Sequence, residues 1–337
     1  METTALSALS RSTFKALPLA TVLALGLSLP AAAEETLRAI TAFPKSMVFT
    51  ESFERYVAYV NEKGKGVIQI EYIGGPEMFP QNQQVDAVRR GVVDMYYGPL
   101  AYYLGSMPEA DAWTGSNVSP MEARENGGLA IMQEAARKKL GVFINGQLDG
   151  GVKFHIYTID EPKRTEDGGF DFDGLRIRTS PLYTSFFESL GIIPVNMPVT
   201  DVYTGLERHS FDGTGWPSMG IEDLSWDKFL NYRIDPGFFQ TDLAVVTNLE
   251  KYDGLSDEAK ELLTRLTAEY EQISYDYFQE ATAKTEEKVK ASGMQFLAIE
   301  GEAKEKFLDA AYGKVWERMQ GAGSEYYDAL RSAYYKE

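Results

Sequence analysis

The chain has 337 residues, a formal net charge of −17 and no cysteine, and 44% of its residues are hydrophobic. This length is sufficient for a large core and favours two domains. Nucleic acid and anionic membrane surfaces would repel so acidic a protein, and the lack of cysteine excludes disulfides, thiol nucleophiles and cysteine metal sites.

The first 33 residues have the pattern of a secretory signal peptide. Arg11 and Lys15 precede an apolar stretch at 17–29, and the segment closes on three alanines ending at Ala33. The apolar stretch is shorter than the roughly 20 residues of a membrane span, and no cysteine follows to carry a lipid. The sequence therefore predicts cleavage after Ala33 and an exported protein without stable membrane insertion.

The next part of the chain alternates between strand and helix patterns. The predicted elements are a strand at 36–43, a helix at 49–61, strands at 67–72 and 93–97 around a helix at 81–90, a helix at 119–139, and strands in GVFINGQ and GVKFHIYTI. Short strands separated by helices indicate parallel pairing in an open α/β sheet. Ligands of such sheets collect beyond the carboxyl ends of the strands.

A polar, glycine-rich loop, EPKRTEDGGFDFDG, separates this part from a second run of α/β elements. That run contains the strand LRIRT, a helix at 181–190, the strand IIPVNM and a helix at 199–208. A longer helix is predicted from Ser256 to about Ala291. At 1.5 Å per residue it would extend about 50 Å, so we expect it to brace both halves.

The segment 174–217 carries the clearest sign of a binding site. In LRIRT, Leu175 and Ile177 alternate with Arg176 and Arg178, so a strand would bury the aliphatic pair and present two guanidiniums on its other face. Ser180 is predicted to cap the following helix, with Pro181 at its first position. Free backbone N–H groups would then point toward Arg178, and an anion is the expected ligand.

Aromatic residues are candidates for the walls of this site. Trp216 lies in FDGTGWPS, where Gly213, Gly215 and Pro217 predict a turn, and it serves either as a pocket wall or as a core residue. The remaining candidates are less specific, because each also suits core packing: Tyr102, Tyr103, Phe154 and Phe239.

Patterns typical of catalysis are weak. GWPSMG departs from G-x-S-x-G, and His155 and His209 lack metal-binding spacing. No G-x-G-x-x-G or Walker A pattern is present, so the sequence predicts no enzyme, metal or cofactor. Two alternatives stay open at this point: a secreted hydrolase that uses carboxylates such as Asp201 or Glu207, and a ligand-sensing protein.

The chain resembles the solute-binding proteins of TRAP transporters, the DctP family. The resemblance covers TLRAITAFP, the GGP and VDAVRRGVVDM segments, GLRIRT, PLYTSFFESLGIIPVNMPVTDVYTGLER and the following FDG. It implies a two-lobed periplasmic binding protein fold with an interlobe cleft, crossover strands and a long lobe-spanning helix. It also implies a periplasmic location, a small and a large membrane subunit as partners, and uptake driven by an ion gradient.

The resemblance also implies lobe bounds and site residues. Lobe I would take about 34–154 and 243–283, and lobe II about 155–242 and 284–337. The second basic residue of the family's G-L-[KR]-[IV]-R segment is its main carboxylate ligand, which is Arg178 here, whereas Arg176 would be peripheral. A further basic residue in many members corresponds to Lys153 only in an uncertain register.

One departure from the family pattern bears on the ligand. The family often has D-G-Q-E-N-P where this chain has DGTGWP, so Trp216 stands in place of a polar amide contact. The family's usual ligands, a C4-dicarboxylate or sialic acid, are therefore in question for this chain. An organic acid remains the expected ligand, with an aromatic acid, a betaine-like zwitterion or a small sulfonate as alternatives.

Overall fold

The computed structural model describes residues 34 to 336, so the predicted signal peptide lies outside the described residues. The strands are β1 (Glu35–Thr41), β2 (Ile68–Gly74), β3 (Met95–Pro99), β4 (Val142–Leu148), β5 (Phe154–Thr158), β6 (Lys163–Arg164), β7 (Phe170–Asp171), β8 (Arg176–Thr179), β9 (Ile193–Asn196), β10 (Gly213–Pro217), β11 (Tyr232–Phe238), β12 (Leu243–Asn248) and β13 (Gln295–Ala298). The α-helices are α1 (Val48–Lys63), α2 (Gln84–Arg89), α3 (Asp111–Thr114), α4 (Pro120–Glu125), α5 (Gly128–Leu140), α6 (Thr184–Ser189), α7 (Val199–Glu207), α8 (Leu249–Gly254), α9 (Asp257–Ala291), α10 (Gly301–Gly321) and α11 (Tyr327–Tyr334).

Two main sheets organise the described chain. The first has the order β2-β1-β3-β12-β4 and the second β13-β11-β5-β10-β8-β9, while β6 and β7 form a separate pair. The chain crosses from the first sheet to the second between β4 and β5, and returns between β11 and β12. These crossings give the two-lobed α/β architecture that the sequence predicted, although the exact lobe bounds stay a prediction.

The prediction of parallel pairing holds for only part of each sheet. β1 pairs in parallel with β2 and β3, but β12 is antiparallel to β3 and β4. In the second sheet β10 is parallel to β8 and antiparallel to β5. Both sheets are mixed because the crossing strands β5 and β12 enter a sheet directly from the other one, without a helical crossover.

The long helix is confirmed as α9, which runs for 35 residues. The Ser256 hydroxyl caps its first turn by accepting from the Ala259 amide at 3.2 Å. Through Thr267 it contacts Tyr56 of α1, and through Glu271 it contacts Gln147 of β4, both in the first lobe. Near its end Glu286 forms an ion pair with Arg233 of β11 at 2.8 Å, so the helix connects both lobes.

Two predicted helices were wrong in their bounds. The helix expected at 119–139 is two helices, because Gly127 at φ 88° breaks the chain between α4 and α5. The helix expected at 181–190 starts only at Thr184, and the Ser180 side chain does not cap it. The Thr179 and Thr184 hydroxyls donate to the Ser180 carbonyl at 3.0 and 2.9 Å, which holds residues 180–183 in a turn.

The turn predicted at residues 213–217 is strand β10. Its glycines permit close approach of neighbours, since a Cβ on Gly213 would lie 2.1 Å from the Tyr157 carbonyl oxygen. A Cβ on Gly215 would lie 2.6 Å from the Tyr183 ring. The glycines therefore serve close packing in this strand rather than chain reversal.

Aromatic side chains dominate the core of the second lobe. Phe186 has its ring centroid 5.0 Å from that of Phe238 and 5.1 Å from that of Phe307, in edge-to-face arrangements. Each fully buried phenylalanine stabilises the folded state by about 1.5 to 3 kcal/mol. These rings pack α6 and α10 against β11 of the second sheet. Among residues 34 to 336, no helix is both apolar and long enough to span a bilayer.

Candidate ligand-binding site

Arg178 lies on β8 with only 2% of its surface exposed. Its Nε and Nη2 atoms donate to the Met197 carbonyl at 2.9 and 2.7 Å, and Nη1 donates to the Tyr183 hydroxyl at 3.0 Å. The Tyr183 hydroxyl in turn donates to the Gly215 carbonyl at 2.6 Å. Three neighbouring strands or loops thus fix the guanidinium in one position.

This guanidinium has hydrogen-bonding capacity to spare. An arginine has five N–H donors, and the contacts just described occupy three, which leaves one each on Nη1 and Nη2. Within residues 34 to 336 Arg178 forms no ion pair, whereas the other buried arginine, Arg233, pairs with Asp235 and Glu286. A buried cation without a counter-ion is costly, so Arg178 is suited to receive an anion.

Arg178 faces an outer cavity of about 500 Å³. Gln81 and Tyr102 line it from the first lobe, and Asn196, Met197 and Thr200 line it from the second. A volume of this size is typical of sites for small organic molecules.

A smaller inner cavity of about 30 Å³ lies behind the first. Its wall includes the aromatic residues Tyr102, Phe154, Tyr183 and Trp216. Tyr102, Arg178 and Ser180 line both cavities, so the guanidinium lies where the two meet. A ligand whose carboxylate lies on Arg178 could therefore extend its other groups into either cavity.

Trp216 is both a packing residue and a wall of the inner cavity. It is 4% exposed, its indole N–H donates to the Met219 carbonyl at 3.0 Å, and its ring meets Trp226 edge-on at 4.7 Å. The Arg178 Cζ atom lies 5.8 Å from its ring centroid. The indole therefore limits the room beside the guanidinium and is itself held in place.

Two other predicted site residues lie elsewhere. The Tyr103 hydroxyl donates to the Gln81 carbonyl at 2.5 Å and accepts from the Val85 amide, and the residue lines neither cavity. Phe239 is fully buried between Phe186 and Tyr312 in the second-lobe core. Lys153 also lines neither cavity, so the structure does not bring these three residues to Arg178.

Asp242 also lines the inner cavity, and no sequence pattern pointed to this residue. It lies in the crossing between β11 and β12, where its Oδ2 atom accepts from the Ala101 amide at 2.8 Å. Burial raises the pKa of this carboxyl to about 7. Because its position depends on the crossing of the chain between sheets, only the tertiary structure could reveal it.

The charged residue next to Arg178 in LRIRT has a different environment. Arg176 is nearly half exposed and pairs with Asp212 at 2.7 Å. The predicted hydrolase carboxylates, Asp201 and Glu207, are exposed and line neither cavity. The site therefore combines aromatic walls, a buried carboxyl and one buried guanidinium that has no ion-pair partner among residues 34 to 336.

Residues 168–321 match the family model DctP, described as bacterial extracellular solute-binding protein, family 7. The chain is 23% identical over 345 residues to the C4-dicarboxylate-binding periplasmic protein DctP of Rhodobacter capsulatus, covering 96% of this chain and 99% of that protein. It is 26% identical over 246 residues to a monocarboxylate 2-oxoacid-binding periplasmic protein of Nostoc sp., covering 69% of this chain and 65% of the relative.

Solved structures show the same fold. A TRAP solute-binding protein from a marine metagenome, in complex with pyroglutamate, matches with a TM-score of 0.76 at 17% identity, over 90% of this chain and 99% of that one. A TRAP periplasmic solute-binding protein of Sulfitobacter with bound β-D-galacturonate matches with a TM-score of 0.74 at 18% identity, over 88% and 98%.

Proposed function

Because the chain belongs to the DctP family of bacterial extracellular solute-binding proteins, we propose that it captures an organic acid between its lobes, with Arg178 binding the carboxylate. Relatives of this chain are periplasmic binding proteins for 2-oxoacids, C4-dicarboxylates and 2,3-diketo-L-gulonate. These solutes share a carboxylate, which is the group that a guanidinium recognises through two parallel hydrogen bonds.

The observation that carries this proposal is the state of Arg178. It is buried, its orientation is fixed by Met197 and Tyr183, and two of its donors are free within the described residues. A carboxylate placed on those donors would provide the missing counter-ion. Desolvation strengthens such a pair, and the loss of one partner typically costs 2 to 5 kcal/mol of binding free energy.

The proposal extends to transport. A periplasmic receptor of this family would deliver its ligand to a small and a large TRAP membrane subunit, with an ion gradient driving uptake. The aromatic wall formed by Tyr102, Phe154 and Trp216 would enclose the rest of the ligand. Closure of the two lobes on the acid would release it only when a membrane partner opens the cleft.

A thermal-shift screen tests the ligand class. Purified protein would be scanned with 2-oxoacids, C4-dicarboxylates, sugar acids, aromatic acids, betaines and small sulfonates. A ligand at 1,000 times its Kd stabilises the bound form by about 4 kcal/mol, which gives a clear rise in Tm. At least one carboxylate should produce this rise in the wild type and none in Arg178→Ala. Stabilisation only by compounds without an acidic group would contradict the proposal.

A further inference from the structure

Asp242 is a second polar group without a full set of partners in the inner cavity. It is 1% exposed, and its Oδ2 atom accepts the Ala101 amide. The only other donor to the carboxyl within residues 34 to 336 is the residue's own backbone N–H, so no other residue donates to Oδ1, and the residue lines the cavity. Buried carboxyl oxygens are normally satisfied, so this one is available to a ligand.

Other buried carboxyls of the described chain have partners. Asp111 forms a two-pronged ion pair with Arg318, at 2.6 and 2.8 Å. Asp149 accepts hydrogen bonds from the Ser52 and Tyr97 hydroxyls. Asp242 has neither arrangement, and no side-chain nitrogen of Arg178 lies within 4.0 Å of its carboxyl oxygens. Within residues 34 to 336 its donors are therefore two backbone N–H groups, those of Ala101 and of Asp242 itself, and no side chain pairs with it.

Arg178 and Asp242 offer complementary chemistry to one ligand. Both line the inner cavity, where the guanidinium has spare donors and the carboxyl has a spare acceptor. The side chain of Tyr102 lines the same space. A ligand that presents a carboxylate to the first group and a hydrogen-bond donor to the second would satisfy both.

The size and charge of the cavity limit what the donor can be. A space of about 30 Å³ is small, although it exceeds the minimum that a single water needs, so only a compact group fits beside Asp242. A second carboxylate there would face the carboxyl of Asp242, and a buried site disfavours two ionised carboxyls side by side. A protonated amine or a ring N–H is small enough and carries the required donor, and the aromatic walls favour a cation.

We propose that Asp242 accepts a hydrogen bond from an N–H group of the ligand while Arg178 holds the ligand carboxylate. The ligand class is then a monocarboxylate with a nearby amine or lactam nitrogen, and dicarboxylates are disfavoured. This inference rests on the proposed function, because it assumes the carboxylate on Arg178. It makes Asp242 a specificity-determining residue.

Calorimetry with ring acids of one size tests this assignment. L-proline and L-pyroglutamate each contain a ring N–H, cyclopentanecarboxylate has the same ring size without nitrogen, and succinate supplies a dicarboxylate. At least one nitrogen acid should bind the wild-type protein 10-fold or more tightly than cyclopentanecarboxylate and succinate. The advantage should disappear in Asp242→Asn, whose amide oxygen would accept from Ala101 and turn its NH₂ group toward the ligand.

Control variants distinguish failure of this inference from failure of the proposed function. Asp149→Asn removes a buried carboxyl that lines neither cavity, and it should leave the preference for nitrogen acids unchanged. The inference is overturned if neither nitrogen acid binds the wild-type protein more tightly than cyclopentanecarboxylate, or if none of the probes binds. Because this result needs only the wild-type protein, it holds even if no variant folds. If that result comes with Arg178-dependent binding of another carboxylate, only the inference fails. Tight binding that persists in Arg178→Ala overturns the proposed function as well.

Discussion

At the scale of single residues, burial decides which of two neighbouring arginines can bind a ligand. Arg176 and Arg178 point to the same face of β8, but the first is exposed and paired with Asp212, while the second is enclosed and has no ion-pair partner in the described part of the chain. The alternation in LRIRT predicted the shared face. It could not predict the difference, because the enclosure of Arg178 comes from Met197 and Tyr183.

Tyr183 should be needed to orient Arg178. In Tyr183→Phe the guanidinium loses the hydroxyl that accepts from Nη1, and the Gly215 carbonyl loses its donor. One such bond to a charged group contributes about 1.5 to 3 kcal/mol, so we expect carboxylate affinity to fall roughly 10-fold or more. Calorimetry measures the loss, with circular dichroism as the check on folding. An unchanged Kd would mean that Met197 alone fixes the guanidinium.

The buried carboxyl of Asp242 should make the unliganded protein less stable at high pH. Burial raises its folded-state pKa to about 7, above the usual 3.8, so the folded state holds this proton more tightly than the unfolded state. The associated stability is present below about pH 4 and is lost as pH rises through 7. Ala101, which donates to it, and the negative charge of Asp111 are its other electrostatic neighbours.

Urea denaturation at pH 5 and pH 8 measures this effect. Asp242→Asn should narrow the difference in unfolding free energy between the two pH values, by up to a few kcal/mol. Asp149, whose pKa burial raises to about 6, contributes in the same direction and remains in the variant. If the free energy of unfolding depends on pH identically in wild type and variant, ionisation of Asp242 does not destabilise the folded protein. A costly carboxyl in a cleft is itself consistent with a functional role.

At the scale of elements, the sequence predicted the strands and helices whose residue patterns are local. The alternation of aliphatic residues and arginines in LRIRT predicted β8, and apolar residues spaced three and four apart predicted α9. Side-chain contacts from distant residues decided the rest. Gly213 and Gly215 read as a turn, yet they form β10 because Tyr157 and Tyr183 pack against their bare Cα atoms. Trp216 was a candidate for the site from its place in FDGTGWPS, while Asp242 had no local signal at all.

Close packing at β10 can be tested with glycine substitutions. In Gly215→Ala the new methyl would lie 2.6 Å from the Tyr183 ring, so ring or strand must shift. We expect a loss of about 1 to 3 kcal/mol in unfolding free energy, together with weaker ligand binding. The matched control is Gly313→Ala in α10, where no atom lies within 4 Å and alanine should stabilise by about 0.5 to 1 kcal/mol. Equal effects of the two substitutions would contradict the packing argument.

At the scale of the whole molecule, each lobe caps a helix of the other. The Asp223 carboxylate, from the loop after β10, accepts from the Val48 amide at the start of α1 at 3.0 Å. The Gln81 side chain accepts from the Val199 amide at the start of α7 at 3.4 Å. Both contacts join the two lobes, and Gln81 also lines the outer cavity, so they should favour the closed arrangement of the lobes.

Small-angle scattering tests the contribution of these contacts to closure. Asp223→Ala combined with Gln81→Ala should increase the radius of gyration of the unliganded protein and weaken carboxylate binding several-fold, since ligand must then supply more of the closing free energy. Saturating ligand should restore the compact value. Asp212→Ala removes a carboxylate that pairs within the second lobe and serves as the control. An unchanged radius in the double variant would exclude this role.

The proposed function depends above all on the binding of the ligand carboxylate by Arg178. Calorimetry of Arg178→Ala and Arg176→Ala against the tightest carboxylate found in the screen tests this role most directly. Arg178→Ala should weaken binding by about 30-fold to several thousand-fold, equivalent to about 2 to 5 kcal/mol, whereas Arg176→Ala should change it little. An Arg178→Ala protein that is folded and binds with wild-type affinity would contradict the account.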